Sequence, residues 1–292
     1  MTKSKAFLSL TGAAIIVGST IVISRIISTG GSIYCLQLIS MVIAAIVLAS
    51  FIGKDNLKME LKKIQRKDYL IFFFQTFTGV VLFRIFIIYG VRLTKAIDAG
   101  IILSLTPVIT VLLSIIFLHE KPSKYEIFAL ISAFIGILII NLNGAENIGI
   151  VQNRIFGNLM VLLAVVGEST FVIFSKKSSS DISSMMRSLM ICLCGIILFF
   201  PLGIYEIIND YSFLLDLKFW LLCLYTGLIL TVLAYILWFK GIVHVNGTTA
   251  GVFNTLIPVS SIVLIFIFLG ETINSSQLSG LGLILLGVVL II

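Results

Sequence analysis

The sequence predicts an all-α membrane protein whose ten transmembrane helices form two inverted five-helix repeats. Three observations lead there: the scarcity of charge, the recurrence of long apolar runs, and a motif that occurs twice. Of 292 residues, 59% are hydrophobic and 11% charged, with a mean hydropathy of +1.19, whereas soluble domains carry about 25% charged residues.

A helix crossing the hydrocarbon of a bilayer needs about 20 mostly apolar residues. Such spans fall at residues 6–27, 32–52, 68–91, 96–118, 124–142, 155–175, 182–204, 218–240, 246–269 and 276–292. The first follows Lys3 and Lys5, yet its apolar run exceeds the ~7–15 residues of a secretory signal and further spans follow at once, which predicts a retained helix. The runs are apolar throughout and do not alternate, so helices are expected and barrel strands are not. The connections leave no room for a soluble catalytic domain.

Basic residues collect on one side. Lys3, Lys5, the run GKDNLKMELKKIQRKD, Lys121, Lys124, Lys176, Lys177, Arg187 and Lys240 supply fourteen of the twenty Lys and Arg. The opposite side has four, namely Arg92, Lys95, Arg154 and Lys218, while Arg25 and Arg84 fall inside spans. Because cationic loops resist translocation, both termini are expected in the cytoplasm, with the protein in the cytoplasmic (inner) membrane. The formal charge of +7 then needs no nucleic-acid partner. The basic run between spans 2 and 3 would instead face anionic headgroups of the lipid bilayer.

The stretch LTPVITVLLSIIFLHEKP at 105–122 has a second copy, LIPVSSIVLIFIFLGETI, at 256–273. Pro107 and Pro258 lie 151 residues apart, as do Glu120 and Glu271. The same offset aligns Gly90 with Gly241, Gly100 with Gly251, Gly136 with Gly287, and Ser24–Arg25 with Ser175–Lys176. The duplication divides the chain into residues 1–145 and 146–292. Each half holds five spans, an odd number, so the second must enter the membrane from the opposite face. Charge agrees: the first copy continues HEKPSK, and the second GETINSS keeps the glutamate and has no lysine. The two glutamates read either as loop acids or as structural groups of the turn, and neither is assigned to a site. Inverted repeats occur in many secondary transporters, where two halves of opposite topology expose a central site alternately.

Pro107 and Pro258 are candidate hinges, each freeing the carbonyl four residues earlier, at Leu103 and Asn254. Two readings stay open. The prolines bend two helices around a cavity, with Thr106, Thr110 and Ser114 on one face of span 4 and Asn254 and Ser261 on one face of span 9. Alternatively they are packing kinks in which Ser and Thr bond their own backbone.

A charge at the bilayer centre costs about 2.5–3.5 kcal/mol, so ionisable residues inside spans are pointers. Arg25 sits close enough to the end of span 1 to snorkel. Arg84 and Glu168 lie deeper and lean toward each other, because side chains tilt toward their helix N-termini. They are expected to share a polar cavity, paired directly or through water or substrate; the competing reading leaves each satisfied by local partners. Glu168 could also carry a proton for coupling. Cys35, Cys192, Cys194 and Cys223 lie within apolar spans without zinc-ligand spacing and read as core. His119 and His244 read as solvated. No metal, cofactor or catalytic group is assigned.

AGIILSLTPVITVLLSIIFLHEK and AGVFNTLIPVSSIVLIFIFLGET are similar to the two copies of the EamA-type helix pattern in the drug/metabolite transporter superfamily. The resemblance implies ten helices in two inverted bundles, with a substrate cavity among helices 1, 3, 4, 6, 8 and 9. Arg84, Glu168, Asn254, and Tyr235 and Trp238 of AYILWFKG then become cavity candidates, against lipid-facing packing for the two aromatics. Many relatives carry arginine in helix 2 where this chain has Ser40, and tryptophan in helix 1 where it has Val17.

The expected function is secondary transport of a small polar metabolite, an amino acid or related solute, by alternating access, with export favoured over import. No phosphate-binding loop of the G-x-x-x-x-G-K-[ST] type occurs. A membrane-embedded enzyme and a passive channel or scaffold are the alternatives. No oligomeric state is assigned.

Overall fold

The computed structural model describes residues 3–28, 32–118, 148–179, 181–244, 256–271 and 273–291, with short pieces between 124 and 139. Most of span 5 and the first part of span 9 lie outside them, together with His119, Glu120, Glu126 and Asn254. The described residues are helical, without a strand.

In chain order the helices are α1 (Lys3–Gly18), α2 (Thr20–Ser28), α3 (Tyr34–Ile52), α4 (Lys54–Lys63), α5 (Arg66–Leu93), α6 (Ala96–Leu103), α7 (Thr106–Leu118), α8 (Ile148–Lys177), α9 (Ser184–Asn209), α10 (Leu217–Ile242), α11 (Leu256–Leu269) and α12 (Ser275–Ile291). Among the described residues, six helical stretches are long and apolar enough to cross a membrane: Lys5–Ser28, α3, α5, Asn153–Ser175, α9 and α10. Their outer faces carry apolar side chains that water would not tolerate in such number. Leu8 is 74% exposed, Leu70 63%, Ile197 70% and Ile208 77%, as expected where lipid is the solvent.

Span 1 breaks at Ser19, whose hydroxyl donates to Ile16 O at 2.7 Å and pairs with the Tyr225 hydroxyl at 2.9 Å. Gly18 is needed beside the break: a Cβ there would come within 2.0 Å of Ser260 Oγ and 3.0 Å of Ile257 O.

Span 4 departs further from expectation. It is two helices, α6 and α7, joined through Ser104 and Leu105. There the pattern tightens to i→i−3, with Ser104 N on Ile101 O and Leu105 N on Ile102 O, both at 3.0 Å. Pro107 is therefore the second residue of a new helix and not the middle of a bent one. In a first turn its missing N–H leaves no partner unmet. The freed Leu103 carbonyl accepts from Thr106 Oγ1 at 2.8 Å.

Two π segments, Phe77–Leu82 in α5 and Tyr225–Leu233 in α10, interrupt otherwise regular spans. Thr231 marks the second by donating to the carbonyl five residues back, Thr226 O, at 2.8 Å. The 151-residue offset recurs in these boundaries: Arg66 and Leu217 start the two long helices, and Phe83 and Ala234 resume α geometry after the π segments.

α5 and α8 cross head to tail. A Cβ on Gly79 would meet Gly167 O at 3.1 Å, and one on Gly157 would meet Gly90 O at 2.9 Å. One contact lies early in α5 and late in α8, and the other is reversed. Glycine is what permits backbones this close. By contrast α2 and α5 end side by side. Arg25, which the sequence reading left to snorkel, donates to the Val91 and Thr94 carbonyls at the end of α5. Arg92 donates in return to Ser28 O at 2.8 Å. Each cation thus closes the carbonyl end of the other's helix, where the dipole favours it.

At that same end Glu206 caps α3, accepting from Ser32 Oγ at 2.7 Å, Ile33 N at 3.1 Å and Cys35 N at 2.8 Å. Glu271, the glutamate of the second motif copy, accepts from Ile97 N at 2.9 Å and so caps α6. Its role is structural. Asp98 and Arg154 form a 2.8 Å ion pair nearby. The opposite end is organised by Asp68, fully buried, which accepts from Gln65 N and from Ser179 N at 3.1 Å. Arg187, expected in a basic connection, is buried there and holds Ser179 O at 2.7 Å and Ile182 O at 3.1 Å. The stretch between spans 2 and 3, expected as a basic loop, contains the helix α4.

Cys35, Cys192 and Cys223 are buried and all four cysteines are free. No cluster of metal-ligating side chains occurs among the described residues.

Candidate functional site

A cavity of about 110 Å³ lies within the bundle, many times the ~10–15 Å³ that one water requires. Its wall is built by α1 and α2, α3, α5, α8, α10 and α11. Helices 1, 3, 6, 8 and 9 of the expected set contribute. Helix 4 supplies no lining residue among those described, and helix 2 supplies Gln37 in its place.

Arg84 follows the π segment of α5 by two residues and faces the cavity. Its guanidinium donates to Gln37 Oε1 and, at 2.8 Å, to Thr231 Oγ1, and it interacts with the Tyr235 side chain. No carboxylate pairs with it among the described residues. The side chain is only 8% exposed, so it does not reach a headgroup region.

Glu168 on α8 faces the same cavity. One carboxylate oxygen lies 3.0 Å from Thr106 Oγ1, at the break of span 4, and the neighbouring Ser169 donates to Thr106 O at 3.2 Å. Arg84 and Glu168 thus share a cavity while each keeps its own neutral partners, and no direct bond joins them among the described contacts.

Aromatic and apolar side chains fill most of the wall. Phe171 and Tyr235 approach with ring centroids 5.6 Å apart. Two polar atoms in the lining, Trp238 Nε1 and Thr226 Oγ1, are buried without a protein partner among the described residues. Buried polar atoms are rarely left so.

Tyr235 and Trp238 are among the residues that line the cavity. Thr110 and Ser261 do not line the cavity. Thr110 donates to Thr106 O at 2.7 Å, and Ser261, fully buried, donates to Gly18 O at 2.8 Å beside the break of span 1. Thr110 thus bonds its own helix, whereas Ser261 ties span 9 to span 1. Pro107 and Pro258 open α7 and α11, in their first turns. Sequence reasoning missed Gln37, Thr226 and Thr231. A lone amide in the apolar run YCLQLISM was the available signal.

A bundle of long apolar helices around a mostly apolar internal cavity that two charged side chains face marks a multi-pass membrane protein. The EamA-like transporter family matches residues 4–142 and again residues 155–292, and the chain belongs to that family. An uncharacterized transporter of Bacillus subtilis, YetK, is 31% identical over 284 residues, spanning 97% of this chain and 85% of the relative. An uncharacterized transporter of Archaeoglobus fulgidus is 25% identical over 79% of this chain and 80% of its own length. A solved crystal structure of a protein 18% identical covers 99% of this chain and 97% of its own, with a TM-score of 0.68. That likeness is one of fold.

Proposed function

We propose that the protein is a secondary transporter that moves a small polar metabolite, an amino acid or related solute, by alternating access. The carrying observation is the cavity that Arg84 and Glu168 both face, with no carboxylate paired to Arg84 among the described residues. A carboxylate on the solute satisfies the forked guanidinium of Arg84, and an ammonium satisfies Glu168. The aromatic wall of Phe171, Tyr235 and Trp238 takes the apolar remainder.

Ten helices in inverted halves, residues 1–145 and 146–292, fit this reading. Two contacts support the inversion. Spans 1 and 3 end together through Arg25 and Arg92, while spans 3 and 6 cross head to tail at their glycines. Span 6, the counterpart of span 1, then runs opposite to it. The cluster of Lys63, Asp68 and Arg187 at one end supports a cytoplasmic face there, with both termini in the cytoplasm and the protein in the cytoplasmic membrane. Export is favoured over import.

The test is a screen for solutes that raise the melting temperature of the purified protein, followed by counterflow in proteoliposomes. Labelled solute that exchanges against unlabelled solute marks a carrier. Chemical conversion of the solute would mark an enzyme, and flux indifferent to solute on the far side a channel, and either sinks the proposal.

A further inference from the structure

The helix α4 is tethered at both ends to spans. Gly53, with φ +74°, turns the chain out of α3, and Arg66 starts α5 two residues after Ile64 ends the connection. Side chains flanking it face outward from the bundle: Phe51 is 70% exposed, Tyr69 46% and Leu70 63%. A ten-residue helix held between two such ends lies at the boundary between hydrocarbon and water.

Its residues suit that position. Leu57 and Leu61 share one face with helical spacing, Leu57 packing against the core beneath while Leu61 stays 41% exposed. Lys54, Lys58 and Lys62 recur every four residues as an adjoining stripe, and all three are exposed, as are Arg66 and Lys67 just beyond. Of the acids nearby, Asp55 lies exposed in the first turn of α4, three residues before Lys58, and the other two are engaged elsewhere. Glu60 is bonded to Lys63 and, through Oε2 at 2.9 Å, to Ser183 N; Asp68 is buried on Ser179 N. With Lys54, Lys58, Lys62 and Lys63 against Asp55 and the engaged Glu60, α4 is a net cationic surface beside an apolar edge. Long lysine stems lie along such an edge with their heads among phosphates.

We propose that α4 is a docking helix for anionic phospholipid and that this docking steadies the connection between spans 6 and 7. The steadying runs through Glu60. Ser183, which Glu60 holds, is the N-cap of α9, and its own hydroxyl accepts from Met186 N at 3.2 Å. Lipid that fixes α4 therefore fixes the residue from which span 7 starts. This rests on the membrane topology proposed above and is independent of the solute.

The experiment uses the full chain in nanodiscs of phosphatidylcholine alone or with one third phosphatidylglycerol. A lysine beside an anionic surface is worth roughly fivefold in partitioning. Wild-type protein extracted into gentle detergent should retain phosphatidylglycerol over phosphatidylcholine by native mass spectrometry, and K54Q/K58Q/K62Q should lose at least about tenfold of that preference. Amide exchange at residues 183–186 should be several-fold slower in the anionic nanodiscs for wild type and equal in both for the triple variant. Glu60→Ala, which removes the acceptor that holds Ser183 N, should keep the lipid preference and lose the exchange difference. Equal exchange of wild type in both lipids, undiminished retention in the triple variant, or the same slowing produced by inorganic phosphate in phosphatidylcholine would each overturn the proposal.

Discussion

Thr106 Oγ1 lies 2.8 Å from the Leu103 carbonyl and 3.0 Å from a Glu168 carboxylate oxygen, so one hydroxyl joins the break in span 4 to span 6. A hydroxyl has one proton to donate and two acceptors here. Thr106→Val keeps the shape and removes both bonds. It should lower stability by about 1 kcal/mol, the usual scale of a hydrogen bond between membrane helices, and reduce counterflow more than tenfold. Thr106→Ser should restore both. The readings are a thermal melt and transport measured on the same preparation, and a Val variant with normal flux would detach the break from function.

Arg84 is held by Gln37 and Thr231 with no carboxylate partner among the described residues. If a solute carboxylate completes its shell, Arg84→Ala should weaken solute binding by roughly 30-fold or more, the lower range for truncating one side of a buried charged contact. Arg84→Lys should recover only part, since an ammonium does not present the two-pronged fork. Gln37→Leu tests orientation: affinity should fall while the preference for a carboxylate over its amide persists. Solute-dependent shifts in melting temperature measure all three.

How far these sites were legible depended on what each one needed. The spans stood out because most positions in them are apolar. That same uniformity hid the π segments of α5 and α10, because one added residue per turn leaves no trace where polar and apolar positions do not alternate. Pro107 announced an interruption but not its place, which the Thr106 hydroxyl and the tightened turn at Ser104 decide. Glu271 could be matched to Glu120 by spacing, yet its task was unreadable, since the amides it caps belong to α6, far away in sequence. Arg84 and Glu168 were legible because burial of charge in a span is costly. Gln37 was not, because a single amide in an apolar run carries a weaker signal.

Glu271 tests the capping role directly. Its carboxylate meets the amides of Ala96 and Ile97, the first residues of α6, and removal of an N-terminal cap costs about 0.5–2 kcal/mol. Glu271→Ala should lower the melting temperature accordingly, and Glu271→Gln should recover part of the loss by keeping an acceptor while removing the charge. Neither should alter the rank order of solutes, because the residue does not line the cavity.

The crossing of α5 and α8 makes an asymmetric prediction about glycines. A Cβ on Gly157 would sit 2.9 Å from Gly90 O, 2.9 Å from Leu93 Cβ and 2.9 Å from Thr94 N, and two of these are backbone atoms that cannot step aside. Gly157→Ala should destabilise by about 1–3 kcal/mol, as overpacking does. Gly282 in α12 would meet nothing within 4 Å, and Ala there should be neutral or stabilise by up to about 1 kcal/mol through the helix preference alone. Should Gly157→Ala melt like wild type, the head-to-tail packing of spans 3 and 6 is wrong. The inversion inferred from it would then lose its support. Should Gly282→Ala be the damaging one, that face of α12 packs against a partner helix.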